Sequence, residues 1–120
     1  MYETGSSVVN HAAYQMILGA YTTSTLHFAA GQQIPANTPI AIKTADNLAY
    51  KHNPGAADGT QNAVAINVHD IDTTGGADYQ PVYDGGHFNA DEIKWHASLD
   101  NLDKRKAAFA GKGFNIALPV

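Results

Sequence analysis

Short stretches in which apolar and polar residues alternate make up much of the chain from Ile34 onward. Such alternation puts successive side chains on opposite faces of a β-strand, so each stretch predicts a strand with one apolar face turned inward. The inward sets are Ile40 and Ile42; Val64, Ile66 and Val68; and Phe114, Ile116 and Leu118. Leu26 and Phe28 alternate in the same way, so residues 22–34 are also expected to form strands of the same domain.

Turn-forming residues separate these stretches. They are Asn53-Pro54-Gly55 with Asp58-Gly59, then Gly75-Gly76, then Asp84-Gly85-Gly86. Glycine supplies the positive φ that tight turns require, so we interpret the last group as a tight hairpin.

One helix is predicted, from about Asp100 to Ala110, with Ser98 or Asp100 as its N-cap and Gly111 at its end. Acidic residues come early in this segment and the basic run 104–106 comes later, as the helix dipole favours. Leu99, Leu102 and Phe109 lie roughly on one face, and the basic run is expected on a solvated face. The chain length suits one domain, which we predict to be mainly β with one principal helix.

Charge is distributed unevenly along the chain. Glu3 is the only Lys, Arg, Asp or Glu before Lys43. This early stretch is too rich in large apolar residues for a solvated linker. We therefore predict an N-terminal arm over residues 1–21, followed by a β domain over residues 22–120, and expect the arm to bury its apolar groups against another chain by strand addition. Two alternatives remain: the arm folds back as strands of its own domain, or residues 10–20 form a short helix with Asn10 as N-cap.

Composition narrows the classes of partner. The net charge is -4, and four of the seven basic residues lie within residues 104–112, so no broad basic field is available for nucleic acid. Cysteine is absent, which excludes disulfides and thiolate metal sites. No apolar run approaches the roughly 18 residues of a membrane span. We expect a soluble, unprocessed protein with neither nucleic acid nor membrane as a partner.

The sequence gives only weak signals for a metal-binding, catalytic or phosphate-binding site. The segment from Asp70 to Asp78 resembles a calcium loop, but its twelfth position is Pro81 instead of a bidentate glutamate, so we interpret it as an acidic surface turn. The six histidines are scattered, and only His69 and His87 lie near carboxylates in sequence; His87 could act as a base only within a cleft. The serines lack a nucleophile-elbow context, and the glycine pairs lack a phosphate-loop setting. No enzymatic activity, metal or cofactor is expected.

The order of several short motifs carries a family resemblance. Near the C-terminus these are Gly86, Phe88, Asp91-Glu92-Ile93, Trp95, and Lys104-Arg105-Lys106 running into Ala108-Phe109-Ala110-Gly111. Earlier pieces are Thr38-Pro39 before Ile40–Thr44, Leu48-Ala49-Tyr50, and Asp58-Gly59 before Ala63–Ile66. In this order and spacing the chain resembles the lambda-type head decoration proteins, small proteins that cement the shells of tailed phages.

The resemblance implies a compact β-clip-like fold and a structural function. Three copies would sit at each local three-fold position of the expanded head and clamp major capsid subunits against internal DNA pressure, with affinity gained through multivalency. The protein would be made in the host cytoplasm and would lie on the outer surface of the virion as a homotrimer. On this basis the arm carries much of the shell contact, and Trp95 and Phe109 anchor the core. The expected apolar anchors of the arm are Val8, Val9, Tyr14, Met16 and Leu18.

Two other classes of function remain open. A small β carbohydrate- or receptor-binding module is the stronger rival, because Tyr79, Tyr83 and Trp95 lie near one another in sequence and exposed aromatic rings often hold sugars. A small metal-dependent hydrolase is the weaker rival, since it would need a metal site that the sequence does not announce.

Overall fold

The computed structural model of the protein describes residues 16–118. Within this range the chain forms eight strands, a single turn of 3-10 helix at Ala90–Glu92 and one α-helix, α1, at Leu102–Ala108. The strands are β1 (Ile17–Phe28), β2 (Gln33–Ile34), β3 (Pro39–Ile42), β4 (Ala49–Lys51), β5 (Ala63–Asn67), β6 (Ile71–Asp72), β7 (Asp78–Asn89) and β8 (Phe114–Ala117). The prediction of a mainly β domain with one helix is confirmed.

The main sheet closes into a ring. Its strand order is β1-β4-β3-β5-β7, and β7 pairs back onto β1. The β1–β4 contact is parallel and is made at Phe28 and Ala49, whereas the other pairings in the ring are antiparallel. Outside the ring, β8 lies parallel to the end of β7, and β2 pairs with β6 as a separate two-stranded sheet.

Two clusters of buried apolar side chains form the core. The first cluster takes one residue from each of the first seven strands: Phe28, Ile34, Ile40, Ala49, Ala65, Ile71 and Val82. The second cluster joins the sheet to the C-terminal segment, and its buried members are Ala63, Ile66, Phe88, Ala90, Ile93, Phe109 and Ile116. Burial of such side chains supplies most of the stabilising free energy of a small domain.

The prediction of one apolar face per strand is wrong for β5. Ala65 and Asn67 were expected to face outward, yet both are buried, and so is Ile66. The physical reason is that the two clusters lie on opposite faces of this strand: Ala65 belongs to the first cluster and Ile66 to the second. A strand covered on both faces has no polar side to alternate with.

The predicted hairpin at Asp84-Gly85-Gly86 is also wrong, because these residues lie inside the continuous strand β7. Thr22 of β1 pairs with Gly85, and Thr23 pairs with Tyr83, so Asp84 is the extra residue of a β-bulge. The Thr22 hydroxyl donates a hydrogen bond of 2.5 Å to the Asp84 carboxylate across the two strands.

The helix is shorter than predicted and has a different N-cap. The side chain of Asn101, instead of Ser98 or Asp100, accepts a hydrogen bond of 2.9 Å from the Lys104 backbone N–H. Asp100 instead forms an ion pair of 2.8 Å with the Lys104 ammonium group, one helical turn along.

Strand β1 begins at Ile17, so residues 17–21, which the sequence assigned to the arm, form part of a strand that pairs with β7. Met16 and Ile17 pack against the second cluster, and the Met16 carbonyl accepts a hydrogen bond of 2.8 Å from the Asn89 N–H. The alternative of a helix over residues 10–20 is wrong for residues 17–20. Residues 10–15 lie outside the described part of the chain.

We expect Gly86→Ala to destabilise the fold by roughly 2–4 kcal/mol, because overpacking and an unfavourable backbone conformation add together. Gly86 has φ of 137°, and an added Cβ would lie 2.7 Å from Cα of Tyr21 and 2.8 Å from the Ala20 carbonyl oxygen. Denaturant unfolding followed by circular dichroism measures the loss. Gly76→Ala is the matched control, since φ there is 144° but no atom lies within 4 Å. Equal losses in the two variants would refute close approach of β1 as the cause.

Candidate interaction surface

Among the described residues, the outer edge of β1 has almost no partner strand. One edge of this strand pairs with β7 along its length, but the other pairs with a described strand only at Phe28. Residues 19–25 are exposed, and residues 17–28 contain no proline and no Lys, Arg, Asp or Glu. We call residues 18–26 the open edge. Edge strands usually carry such charges or prolines, which prevent pairing with other chains, so the open edge is chemically suited to strand addition.

The residues of the open edge favour an extended backbone for simple reasons. Tyr21 is aromatic, and the threonines at positions 22, 23 and 25 are β-branched. Both kinds of side chain fit a pleated surface well. The pairing is irregular at its start, since three residues, 18–20, lie between the paired positions Ile17 and Tyr21 while β7 has one residue in the same interval.

Two of the five predicted arm anchors lie within the described residues, and they have different surroundings. Met16 packs against the second core cluster of its own domain. Leu18 is half-buried at the start of the open edge and belongs to neither cluster. Val8, Val9 and Tyr14 lie outside the described residues.

The predicted core anchors are in contact with each other. Phe109 is 1% exposed, and the Trp95 ring meets it edge-on with 5.9 Å between the ring centres. The Trp95 indole N–H donates a hydrogen bond of 2.8 Å to the Ala90 carbonyl. Arg105, expected on a solvated face, is half-buried instead: its guanidinium lies 5.7 Å from the centre of the Trp95 ring, and its Nε donates to the Leu99 carbonyl.

A series of aromatic contacts crosses the second cluster. Its members, in order of contact, are Tyr21, Tyr83, Phe88, Phe114, Phe109 and Trp95. Three phenylalanine rings therefore lie between Tyr83 and Trp95 in this series, so those two rings do not share one platform. Tyr79 is 65% exposed and stacks on His27 with 4.2 Å between the ring centres.

In the acidic turn, the carboxylates of Asp70 and Asp72 accept hydrogen bonds from other groups of the protein. Asp70 accepts a hydrogen bond of 2.7 Å from the Ala36 N–H. Asp72 accepts bonds from the hydroxyl and the N–H of Thr74, and these bonds lower the pKa of its carboxyl group. Among residues 16–118, no three His, Asp or Glu side chains lie close enough together to hold a metal ion.

His87, the candidate base, lies in β7, opposite Asn115 of β8. Its ring lies beside Gly19, where an added Cβ would come within 3.2 Å of Nδ1. In the described part of the chain, no helix is long and apolar enough to cross a membrane.

Asn67 is a structural residue that the sequence did not reveal. Its side chain is fully buried, its Oδ1 accepts a hydrogen bond of 2.7 Å from the Thr38 N–H, and its Nδ2 donates to the carbonyls of Pro35 and His69. These bonds tie the connection between β2 and β3 to the end of β5. Alternation placed Asn67 on a solvated face, and only the three-dimensional contacts show that the face is covered.

Within residues 16–118 the protein is a closed β domain with an uncharged edge that is largely unpaired, a feature suited to binding other chains. A sequence model of the family described as "Bacteriophage lambda head decoration protein D" matches residues 10–113. The chain therefore belongs to this family, and the resemblance noted in the sequence is confirmed. It is a capsid decoration protein of a bacteriophage virion, and its family is structural. No curated protein matches the chain.

We expect Asn67→Ala to lower the free energy of unfolding by roughly 1–3 kcal/mol, because it leaves the buried Thr38 N–H without its acceptor and removes the donor to the Pro35 and His69 carbonyls. Urea unfolding at fixed pH measures the change. Asn115→Ala, at an exposed position of β8, is the control and should stay within about 0.5 kcal/mol of the parent protein. A small loss at Asn67, similar to that at Asn115, would contradict the role assigned to these bonds.

Proposed function

We propose that the protein binds as trimers at the local three-fold positions of the expanded phage head and stabilises the shell against the pressure of packaged DNA. Its partners are then the major capsid protein of the same phage and two further copies of itself. It acts on the outer surface of the head, after synthesis in the host cytoplasm, without contact with nucleic acid and without catalysis. Family membership and the open edge of β1 support this function, and the open edge is the observation that carries it.

The mode of attachment follows from the position of the open edge. Val8, Val9 and Tyr14 precede β1 in the sequence, and in this proposal they contact the capsid together with Leu18. An extended segment of the capsid subunit that pairs along residues 18–26 gains backbone hydrogen bonds, each worth about 1 kcal/mol net. The side chains of the arm then supply apolar contact and specificity.

The lack of charge in this region also favours assembly. Burying an ion at an interface carries a desolvation cost that only a well-placed partner offsets. From Glu3 to Lys43 no Lys, Arg, Asp or Glu intervenes, so a partner can cover the arm and the open edge without meeting that cost. Three copies engaged together add avidity to weak individual contacts.

A second candidate function, a carbohydrate- or receptor-binding module on the virion, has one supporting observation. Tyr79 presents an exposed ring, held in place by its stack on His27. A single exposed ring is a small platform, and Tyr83 and Trp95 pack against the second core cluster, so the capsid-binding function is favoured.

Deletion of residues 1–15 should abolish saturable co-sedimentation with expanded, undecorated heads, whereas the full chain should saturate near one copy per shell subunit. The deletion should stop at residue 15, because a cut after Tyr21 would also remove part of β1 and the packing of Met16 and Ile17. Circular dichroism controls for folding. If both forms bind, the protein still binds capsids but residues 1–15 are not needed for it. If neither form binds, the glycan- or receptor-binding module is favoured.

Thr23→Lys should weaken head binding at least tenfold with little change in thermal stability, because a lysine at an edge position opposes strand addition. Thr23 is exposed in the middle of the open edge. Ala77→Lys adds the same charge in the exposed turn between β6 and β7 and serves as the control. Titration of labelled protein on heads gives both affinities. Equal affinity of the two variants would contradict the use of the open edge.

A further inference from the structure

A buried histidine, His52, lies at the end of β4 and uses only one of its ring nitrogens. The residue is 4% exposed. Its Nε2 lies 3.0 Å from the Gln61 carbonyl oxygen. A carbonyl can only accept, so Nε2 carries the proton and Nδ1 of the neutral ring is an unprotonated acceptor. Nδ1 is buried, and no group among the described residues forms a hydrogen bond with it.

The Nε2 bond holds one end of a loop. The loop comprises residues 53–61, between β4 and β5, and is closed by a hydrogen bond of 2.8 Å from the Asn53 N–H to the Thr60 carbonyl. It is also attached to the turn between β3 and β4, where the Thr44 N–H donates to the Asp58 carbonyl. On its other side, the loop faces α1 across a cavity of about 290 Å³. The lining residues are His52, Pro54, Gln61, Leu99, Lys104, Ala107 and Ala108.

Protonation of His52 would place a second N–H in this buried site without an acceptor. Such a group carries a substantial desolvation cost. Burial is the main cause that lowers the pKa of His52; the bond to the Gln61 carbonyl opposes this shift, and repulsion from His96 adds to it.

Among the described residues, no carboxylate offsets this cost, and the charge that acts on His52 is that of His96. On α1, Lys104 lines the cavity. The carboxylate of Asp100, just before the helix, is already paired with the Lys104 ammonium group. In the loop, Asp58 accepts from both the hydroxyl and the N–H of Thr60. The exposed Lys51 of β4 adds a further positive charge.

On the turn between β3 and β4, Asp46 accepts from the Tyr50 hydroxyl, and the Lys43 ammonium lies over the same ring. The carboxylates around His52 are therefore engaged elsewhere.

We propose that His52 is a pH-operated latch: the neutral ring holds loop 53–61 against β4 and α1, and protonation releases the loop while the rest of the domain stays folded. This device goes beyond capsid decoration. The sign follows from linkage. The open loop exposes the ring and binds a proton more readily than the closed one, so the closed loop is fully stable above the ordinary histidine pKa of about 6.5 and loses stability as pH falls below it.

Hydrogen exchange of the Asn53 and Thr44 amides in the full chain tests the latch, because both amides donate to loop carbonyls. Their protection factors should fall by up to about tenfold per pH unit below pH 6.5, while amides in the β1–β7 pairing keep theirs. His52→Gln retains an N–H donor for the Gln61 carbonyl and cannot titrate, so its loop protection should not depend on pH. His69→Gln, at an exposed position, should behave as the parent protein does.

Two results would overturn the latch. One is loop protection in the parent protein that does not change between pH 7 and pH 4. The other is an equal loss of protection in His52→Gln. If that variant does not fold, NMR titration of the His52 ring in the parent protein decides alone: a pKa below 6.5, coupled to shift changes at Asn53 and Thr44, supports the latch, and a pKa at or above 6.5 refutes it.

Discussion

The antiparallel pairing of β1 with β7 is the constraint on which the rest of the structure depends. It runs from Ile17 opposite Phe88 to Phe28 opposite Asp78 and closes the ring of strands. Strand β7 contributes Val82 to the first core cluster and Phe88 to the second, so laying β1 along it helps to cover both. The same pairing uses one edge of β1 and leaves the other open. The device that completes the core therefore also creates the surface that we assign to assembly.

Strands β1 and β7 have twelve residues each, and they can pair over this length because the pairing is not regular. The bulge at Asp84 adds a residue to β7, and bulges increase the local twist and bend of a strand. Gly86 then lets the Tyr21 backbone approach closely, at a φ that other residues rarely adopt. Composition alone could not distinguish this use of glycine from a hairpin, because both need the same conformational freedom and the difference lies in β1, more than sixty residues away in sequence.

Sequence reasoning predicted the features that depend on local pattern and missed those that depend on distant contacts. The β character, the helix and the family followed from alternation, helix-end signals and motif order. The burial of β5 on both faces did not, because alternation assumes that one face meets water. The charge gap led us to draw a limit after Tyr21, and this position falls inside β1, which begins at Ile17. His52 and Asn67 gave no signal, since their burial is caused by segments remote in sequence.

An uncharged open edge has a consequence for how the proposed trimer recognises its site. A strand edge of this kind pairs without much sequence preference, so one copy alone would bind many extended segments weakly. Discrimination must then come from geometry, because three linked edges gain avidity only where three partner segments lie at matching distances. On this argument the open edge supplies adhesion, the trimer supplies selectivity, and only a shell whose three-fold positions have reached their final spacing satisfies both.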